Sequence, residues 1–414
     1  MRLIADLHIH SKYSRSCSPN LDLEHIEEWC KYKGIDIVGT ADFTHPKWFE
    51  ELKNKLEEQE PGLYKLKGTD GKVRFIMTTE LSCIYTQGGK CRRIHICVLA
   101  PSIQTVEKII ANFEKRSFNL KSDGRPILGI SAKDLAKVIL EIEPKCLIIP
   151  AHAWTPWFAV FGSKSGFDSL AECFEEMTPN IYAIETGLSS DPKMNWQLSA
   201  LDKITLISNS DAHSPANLCR ESNVFDIEQD KLSYDEIYRI LKEKDNKKFL
   251  YTIEFFPEEG KYHFDGHADC HYSAHPEESK KNKNICPTCK KELVLGVMHR
   301  VNELADRKNI AQVKNIPYKN LIPLQEIIAD TLGVGKNSKK VQAEYFKMIK
   351  KYSEFQILID LGEEELKKIT AAEITKAIMN VRDNKVKIIP GYDGIYGKIE
   401  IINDSRKPRQ TNLF

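Results

Sequence analysis

Histidine and carboxylate residues recur at the ends of short apolar runs in this sequence, a placement that can build a polynuclear metal site. Asp6-Leu7-His8-Ile9-His10 closes the first such run. Residues i and i+2 of a strand share a face, so His8 and His10 offer two imidazoles to one ion. Glu80 follows Phe75-Ile76-Met77-Thr78-Thr79, and His95 sits in Arg93-Ile94-His95-Ile96-Cys97. His152 follows Ile148-Ile149-Pro150-Ala151, and Asp211 and His213 follow Leu206-Ile207-Ser208-Asn209-Ser210. Imidazole and carboxylate are borderline-to-hard ligands that suit Zn²⁺, Mn²⁺ or Fe²⁺. A carboxylate such as Glu80 can bridge two ions, which at about 3.5–4 Å apart activate water and neutralise a phosphate's developing charge. Two or three catalytic ions (Zn²⁺, Mn²⁺ or Mg²⁺) are therefore expected, with Asp211, Glu80 and His213 as the catalytic residues.

A second chemistry lies further on. His267-Ala268-Asp269-Cys270 is followed by Cys286-Pro287-Thr288-Cys289. Two thiolates three positions apart on a turn reach one tetrahedral ion, so a structural Zn²⁺ is expected on His267, Cys270, Cys286 and Cys289, with His271 as the rival and His263 and His275 competing. No thioredoxin-like βαβ pattern surrounds the C-x-x-C, which disfavours a redox role.

The composition bounds these readings. At 414 residues, with 41% hydrophobic and 29% charged residues, the chain has the balance of a soluble protein of two or three domains. It has no run of about 20 apolar residues, so no membrane span is expected. A strand beginning at residue 2 leaves no room for a secretory leader, and the expected location is the cytoplasm, at the nucleoid. The eleven cysteines then read as reduced thiols and ligands rather than a disulfide framework. The first 260 residues are net acidic and the remainder net basic, which fits metal binding in one part and a polyanion partner for the other.

The elements that position these residues follow from periodicity. Up to about residue 250, β-rich runs alternate with amphipathic segments. Helices are expected at 23–33, 46–60, 105–120 and 131–143, and strands at 35–39, 75–79 and 94–99. The alternation predicts β/α units around a mostly parallel sheet, with the site at the strand C-termini. Between 262 and 291 neither period persists, and helices are expected again at 297–307, 324–332, 341–352 and 363–381. The fold class is α/β. The domains expected are a metal-dependent catalytic domain at 1–255, a zinc-binding segment at 256–298, a helical DNA-binding domain at 299–402 and a flexible tail at 403–414.

Asp6-Leu7-His8-Ile9-His10-Ser11, Thr40-Ala41-Asp42, Thr79-Glu80, His95, Ala151-His152-Ala153 and Ser210-Asp211-Ala212-His213 resemble the motifs of the polymerase-and-histidinol-phosphatase (PHP) superfamily over roughly residues 1–250. That resemblance implies a distorted β/α barrel hydrolysing phosphoesters with two or three metals. Carried onto matching positions, it implies His8, His10, Glu80 and Asp211 at one ion, and Glu80, His95 and His152 at a second. The family's acidic residue after the second His is absent near Ser16-Cys17-Ser18, and its T-D-H is Ala41-Asp42-Phe43 here. A third site would use His213 with some of Cys17, Asp42 and His45. Asp42 reads equally as a partner orienting a ligand imidazole.

With the Cys/His segment, His299-Arg300-Val301-Asn302-Glu303-Leu304-Ala305-Asp306-Arg307 and Pro390-Gly391-Tyr392-Asp393-Gly394-Ile395-Tyr396-Gly397, the chain resembles the endonuclease Q family across essentially its whole length. The resemblance implies a DNA repair enzyme acting on damaged double- or single-stranded DNA. It nicks 5′ to uracil, hypoxanthine, xanthine or abasic sites and leaves 3′-hydroxyl and 5′-phosphate ends. A damaged base inside a duplex has to be flipped out to be read. Trp154, Trp157, Phe158 and Phe161, and with them Asn195, Trp196 and Asn209, are the candidate base contacts. Arg92, Arg93 and Arg220 are candidate phosphate contacts. Thr331-Leu332-Gly333-Val334-Gly335 with Lys336, Lys339 and Lys340 resembles a helix-hairpin-helix turn that approaches phosphate, or is an ordinary glycine cap. Gln410-Thr411-Asn412-Leu413 is similar to the start of a sliding-clamp (PCNA) interaction motif. The rival readings are a small-molecule phosphatase of the histidinol-phosphatase kind and a non-catalytic DNA-binding adaptor.

Overall fold

The strand Arg2–Asp6 lies inside an eleven-stranded mixed sheet. The structure, a computed structural model, describes residues 1–307, 309–310 and 315–402. Along the sheet the strands run Tyr318–Asn320, Phe249–Glu254, Ser222–Asp226, Arg2–Asp6, Ile37–Gly39, Arg74–Gln87, Leu63–Leu66 and Leu56–Glu60. Lys90–Ala100 and Ile127–Leu128 also pair with Arg74–Gln87, and Leu147–Pro150 pairs with Lys90–Ala100. The strands Ala183–Glu185 and Thr205–Ile207 form a separate parallel pair. The α/β class holds, but the described strands do not close into a barrel and the sheet is not mostly parallel. Arg2–Asp6 is antiparallel to Ser222–Asp226 and parallel to Ile37–Gly39. Tight hairpins account for two of the antiparallel pairs, Leu56–Glu60 with Leu63–Leu66 and Arg74–Gln87 with Lys90–Ala100, while others, Arg2–Asp6 with Ser222–Asp226 and Lys90–Ala100 with Leu147–Pro150, join strands distant in sequence.

The longest of these is the hairpin Arg74–Gln87 with Lys90–Ala100. Gly88 and Gly89 both have positive φ, 60° and 71°, which a two-residue hairpin turn requires and only glycine meets cheaply. Its register sets Glu80 opposite Cys97 and His95 opposite Ser82. Glu80 and His95 are thus diagonal neighbours on one face, within reach of each other.

Helix Leu23–Lys33 is capped by Asp22, which accepts from the His25 N–H, and ends at Gly34 with φ 85°. Helix Pro46–Lys55 stops short of its expected end, because Leu56–Glu60 turns back at Pro61-Gly62 to pair with Leu63–Leu66. The helix expected over 363–381 is divided into Glu363–Leu366 and Ala372–Arg382, with Ala371 extended between them. A hairpin, Val386–Ile389 with Lys398–Ile401, follows the helices. No helix among the described residues is long and apolar enough to cross a membrane. Residues 403–414, which carry the clamp-like motif, lie outside the described residues.

The C-terminal helices dock on helix Leu23–Lys33. Lys33 and Glu354 form an ion pair at 2.9 Å with side chains only 4% and 5% exposed. Glu354 also accepts from the Leu324 N–H at 2.9 Å and the Tyr345 hydroxyl at 2.8 Å. Trp29 and Tyr32 pack on Tyr345 and Phe346 beside it. Removing one partner of a buried pair leaves the other charge uncompensated. Lys33→Met is expected to destabilise the protein by about 3 kcal/mol, measured as a lower urea midpoint against Lys31→Met on the exposed face.

Candidate metal centre and adjoining cavity

Four ligand atoms, from His8, His10, Glu80 and Asp211, lie within 4.8 Å of one another, and so do three from Glu80, His95 and His152. Glu80 belongs to both groups, and its two oxygens divide between them. Oε1 lies 2.7 Å from His95 Nδ1 and 3.1 Å from His152 Nε2. Oε2 lies 3.6 Å from His8 Nε2 and 3.4 Å from His10 Nε2. This is the disposition of a carboxylate that bridges two ions.

Several of these candidate ligands are held from behind. The segment after Arg2–Asp6 runs beside residues 209–213: Leu7 N donates to Asn209 Oδ1, Asp211 N to His8 O, and His10 N to Ala212 O. Asp6, wholly buried, accepts from Ser210 N, Ser210 Oγ and Cys219 N and so fixes the loop that carries Asp211. His8 Nδ1 donates to Glu185 at 3.0 Å, and the His152 N–H donates to the same carboxylate at 2.8 Å. A carboxylate behind a ligand imidazole fixes its tautomer and orientation. With Nδ1 so engaged, His8 Nε2 is buried with no hydrogen-bond partner and faces Glu80 and Asp211. An orphaned, aimed imidazole nitrogen fits a metal ligand.

The backbone at the site is strained. Asp42, His152 and Asp211 have φ of 43°, 32° and 47°, in the left-handed region that side chains other than glycine, Asn or Asp rarely adopt. Gly187 is required beside them, since a Cβ there would stand 2.6 Å from His152 Cβ.

Electrostatics fit divalent cations. Burial pushes the Glu80 carboxyl up, but the charges of His95, Arg125 and His8 outweigh it and hold it well below the usual range. Burial also opposes ionisation of Asp211, yet the His10 hydrogen bond and the His8 charge pull it down. Burial lowers His10, but bonds to Asp211 and Asp42 raise it to about 9. Without metal, protonated imidazoles balance the carboxylates, so metal binding displaces protons.

Of the residues expected at a third ion, Asp42 is a support instead. Its Oδ1 lies 3.4 Å from His10 Nδ1, and its Oδ2 accepts from Ser11 N, Ser11 Oγ and Ser14 Oγ. His45 precedes helix Pro46–Lys55 and stacks on Tyr13 at 4.4 Å, and it is a member of neither ligand group. Neither His213 nor Cys17 belongs to a group. His213 Nδ1 donates to Asp211 O at 2.8 Å, and its ring lies 4.7 Å from that of His10. Among the described residues no third catalytic group of three ligands forms.

Two site residues escaped the sequence reading. Glu185 carries the same signal as the others, a carboxylate ending a strand, but its strand Ala183–Glu185 is only three residues long. Arg125 gave no signal. Gly124 lies against Asp42 Oδ2 and Ser14 Oγ, where a Cβ would stand 2.2 and 2.4 Å from them, and this brings Arg125 Nη1 to 3.0 Å from Glu80 Oε2. Glu185→Gln is expected to lower metal affinity and cleavage about 10- to 100-fold, read by metal titration of the variant, with its circular dichroism unchanged.

Beside this centre is a cavity of about 570 Å³, within the ordinary range for a small-molecule pocket. Thr155, Trp157, Arg220, Tyr262, Lys336 and Tyr396 are among its lining residues. Thr155 Oγ1 lies 3.3 Å from His152 Nδ1, and Arg220 Nε donates to Ser210 O. The cavity therefore adjoins the loops of two metal ligands. Trp157, 42% exposed, faces it, and Phe158 lies against the His95 ring at 4.6 Å. Trp154, Phe161, Asn195 and Asn209 are not pocket residues. Trp154 is buried against Phe161 and donates to Asn195 Oδ1, and Asn209 is buried between Leu7 N, Glu185 and Asn223. Trp196 packs on Tyr318. Arg92 stacks on Phe167 and donates to Gly166 O, and Arg93 lies over Phe158. Gly333, φ 68°, caps helix Leu324–Leu332, so that glycine serves the helix end. Lys336 reaches the cavity, and Lys339 opens helix Lys339–Ile349 on the surface.

The second group, His267, Cys270, Cys286 and Cys289, also lies within 4.8 Å. His271, with φ 48°, caps the turn instead of joining it. Backbone N–H groups of Cys289 and Thr288 point at the Cys286 thiol and bring it down to about 7, while burial and the neighbouring thiols raise Cys270 to about 11. One thiol poised to ionise among several suits a thiolate-bound divalent ion.

Two solved structures align over the whole chain. The lesion-specific endonuclease PfuEndoQ of Pyrococcus furiosus superposes with a TM-score of 0.86 at 32% identity, covering 100% of this chain and 99% of that one. The chain belongs to the endonuclease Q family. An endonuclease Q solved with a 27-mer duplex bearing an abasic lesion at its active site superposes at 0.84, with 33% identity and full coverage of both chains. Residues 323–385 match the family described as the MJ0043 C-terminal domain. The uncharacterized protein MJ0043 of Methanocaldococcus jannaschii is 36% identical over 266 residues, 64% of this chain and 32% of that protein. This chain thus spans about a third of that relative's length. The uncharacterized Bacillus subtilis protein YqxK is 28% identical over 412 residues, 96% of this chain and 99% of its own. Endonuclease Q membership makes the chain an enzyme of the endonuclease class, as expected from its motifs.

Proposed function

We propose that this chain is a metal-dependent DNA repair endonuclease. It nicks the phosphodiester bond 5′ to uracil, hypoxanthine, xanthine or an abasic site and leaves 3′-hydroxyl and 5′-phosphate ends. The observation that carries the reading is the division of the Glu80 oxygens between two ligand groups beside a cavity large enough to admit a nucleotide. The relative solved on a duplex with an abasic lesion supports damaged DNA as the substrate class.

In this reading His8, His10, Glu80 and Asp211 hold one divalent ion, and Glu80, His95 and His152 hold the other. When bound, two such ions supply Lewis acidity and a nucleophilic water near neutral pH. The chain's own residues fix the geometry. Glu185 and Asp42 orient His8 and His10 from behind. Arg125, with its side chain 24% exposed, places a fixed cation at the rim where a phosphate oxygen approaches. His213, anchored through Nδ1, presents its ring beside Asp211. The cavity takes the nucleotide 3′ to the cut, and its lesion base is read between Trp157, Tyr262 and Arg220. A flipped nucleotide costs a few kcal/mol, least at damaged pairs, which biases the reaction toward lesions. His267, Cys270, Cys286 and Cys289 would hold a Zn²⁺ that stabilises a segment with little core of its own, and the helices after residue 299 with Lys336 and Lys339 contact the DNA backbone. Binding of a sliding clamp through residues 410–414 belongs to the same reading.

The test is a denaturing-gel assay on end-labelled duplexes carrying one deoxyuridine, one deoxyinosine or no lesion, with Mg²⁺, Mn²⁺ or Zn²⁺. One nick 5′ to the lesion, lost in Asp211→Asn, is expected. Intact lesion DNA with hydrolysis of a phosphomonoester would favour a small-molecule phosphatase instead.

A further inference from the structure

We propose that the hairpin tip at residues 390–397 is a duplex wedge, with Ile395 and Tyr396 entering the base stack beside the nucleotide drawn into the cavity. This rests on the nicking reading and adds to it the element that holds the helix open.

The tip is Pro390-Gly391-Tyr392-Asp393-Gly394-Ile395-Tyr396-Gly397. Its backbone is pinned to the zinc-binding segment. Gly391 N donates to Glu258 O at 2.8 Å, Gly397 N to Glu259 O at 3.0 Å and Gly394 N to Lys261 O at 2.9 Å. In return, Phe264 N donates to Gly391 O at 2.9 Å and Ala268 N to Asp393 Oδ2 at 2.6 Å. The approach is so close that a Cβ on Gly391 would stand 2.5 Å from Gly260 O. Tyr392 faces inward, against Gly266.

The next two large side chains face outward. Ile395 is 38% exposed and Tyr396 is 72% exposed, more than any other large apolar side chain among the described residues. A loop tied down by five hydrogen bonds thus presents these two neighbouring side chains exposed on a fixed backbone. A rigid aromatic also loses little conformational freedom when a partner covers it.

The surroundings point to a nucleic-acid stack as that partner. Lys261 Nζ lies 5.8 Å from the Tyr396 ring centre and 5.6 Å from that of Tyr262, which places a cation for phosphate beside two stacking surfaces. Trp157 meets Tyr262 edge-on at 6.1 Å. Tyr396 lines the same cavity as Thr155, which touches the ligand His152. A ring at this lip stands beside the position from which a base must leave the duplex. Side chains inserted between base steps unstack and kink DNA in this way.

The test compares Tyr396→Ala and Tyr396→Phe on three substrates: a deoxyuridine duplex, an abasic duplex, and a duplex whose deoxyuridine sits in a three-base mismatch bubble. A wedge matters where the stack is closed. Tyr396→Ala is expected to slow both duplexes about 10- to 100-fold and to leave the bubble within about twofold of wild type, while Tyr396→Phe cuts all three normally. Equal losses on bubble and duplex, loss on deoxyuridine but not on the abasic duplex, or no loss anywhere would each overturn the proposal. A second readout needs no cleavage: 2-aminopurine beside the lesion should brighten on binding the Asp211→Asn protein and stay dark when Tyr396→Ala is added. If wild-type protein cuts no lesion DNA, the nicking reading fails, and the fluorescence still decides the wedge.

Discussion

Glu80→Gln is expected to abolish cleavage of lesion DNA and to empty at least one of the two catalytic metal positions. Glu80 is the residue shared by both ligand groups, with one oxygen toward His95 and His152 and the other toward His8 and His10. Glutamine has the same shape, but it carries no charge and replaces one of those oxygens by an NH2 that repels a cation. Charge-assisted contacts contribute about 1.5–3 kcal/mol each. Losing two of them amounts to about 4 kcal/mol, or roughly 10³-fold in rate. The fold should survive, because Arg125, which also touches Glu80, is exposed enough to turn to water. The measurement is single-turnover cleavage of a deoxyuridine duplex together with metal content per chain. A tenfold loss with wild-type metal content would place the bridge elsewhere.

The second large effect is expected from Cys286→Ser. The segment holding His267, Cys270, Cys286 and Cys289 buries few apolar side chains, among them Ala274, Cys286 and Leu293. Its first half is a short pair, Asp265–His267 with Tyr272–Ala274, and an isolated bridge from Gly266 to Val294 ties it to the second half. Such a segment folds on metal, and structural zinc supplies on the order of 10–16 kcal/mol of apparent folding free energy in comparable small units. The same segment contributes Lys261, Tyr262 and His263 to the cavity wall and anchors the tip at 390–397. Cys286→Ser should therefore lose one zinc, expose residues 256–298 to protease and reduce duplex cleavage at least about 100-fold, with catalytic metal content intact. Loss of the zinc with unchanged cleavage would separate this segment from substrate binding.

The strand-borne ligands were legible because they combine a residue type with a period. His8 and His10 share a face by alternation, and Glu80 and His95 stand out as polar residues within apolar runs, which the structure places in mid-strand on the two arms of one hairpin. Glu185 carried the same signal in a strand too short to stand out. Arg125 arrives through a loop whose course depends on Gly124 packing on Asp42, which no local pattern records. Asp42 takes the second of the two places expected for it, behind a ligand imidazole, and His45 lies outside both ligand groups. They are near the site in sequence, but Ala41 and Asp42 both take left-handed backbone, and the chain directs Asp42 behind His10 and His45 onto Tyr13. The aromatics after His152 divide in the same way. Trp154 and Phe161 turn into the core while Trp157 stays exposed, a choice made by tertiary packing.

At the level of fold, helices such as Leu23–Lys33 were readable from apolar spacing. The antiparallel pairs and the open sheet were not, since strand direction and closure depend on which edges meet. The helix expected over 46–60 was cut short by a hairpin turning at Pro61-Gly62, which the helical period did not reveal. The tip at 390–397 was visible as a motif, but its anchoring to the zinc-binding segment needs contacts more than 100 residues apart, such as Ala268 with Asp393.

Anomalous scattering from crystals grown with Mn²⁺, collected at the manganese edge, tests the two-ion centre most directly. The account predicts two peaks flanking Glu80, one contacted by Oε2 with His8, His10 and Asp211 and the other by Oε1 with His95 and His152. A single peak, or a peak between Asp42 and His45 with Glu80 unbound, would contradict it.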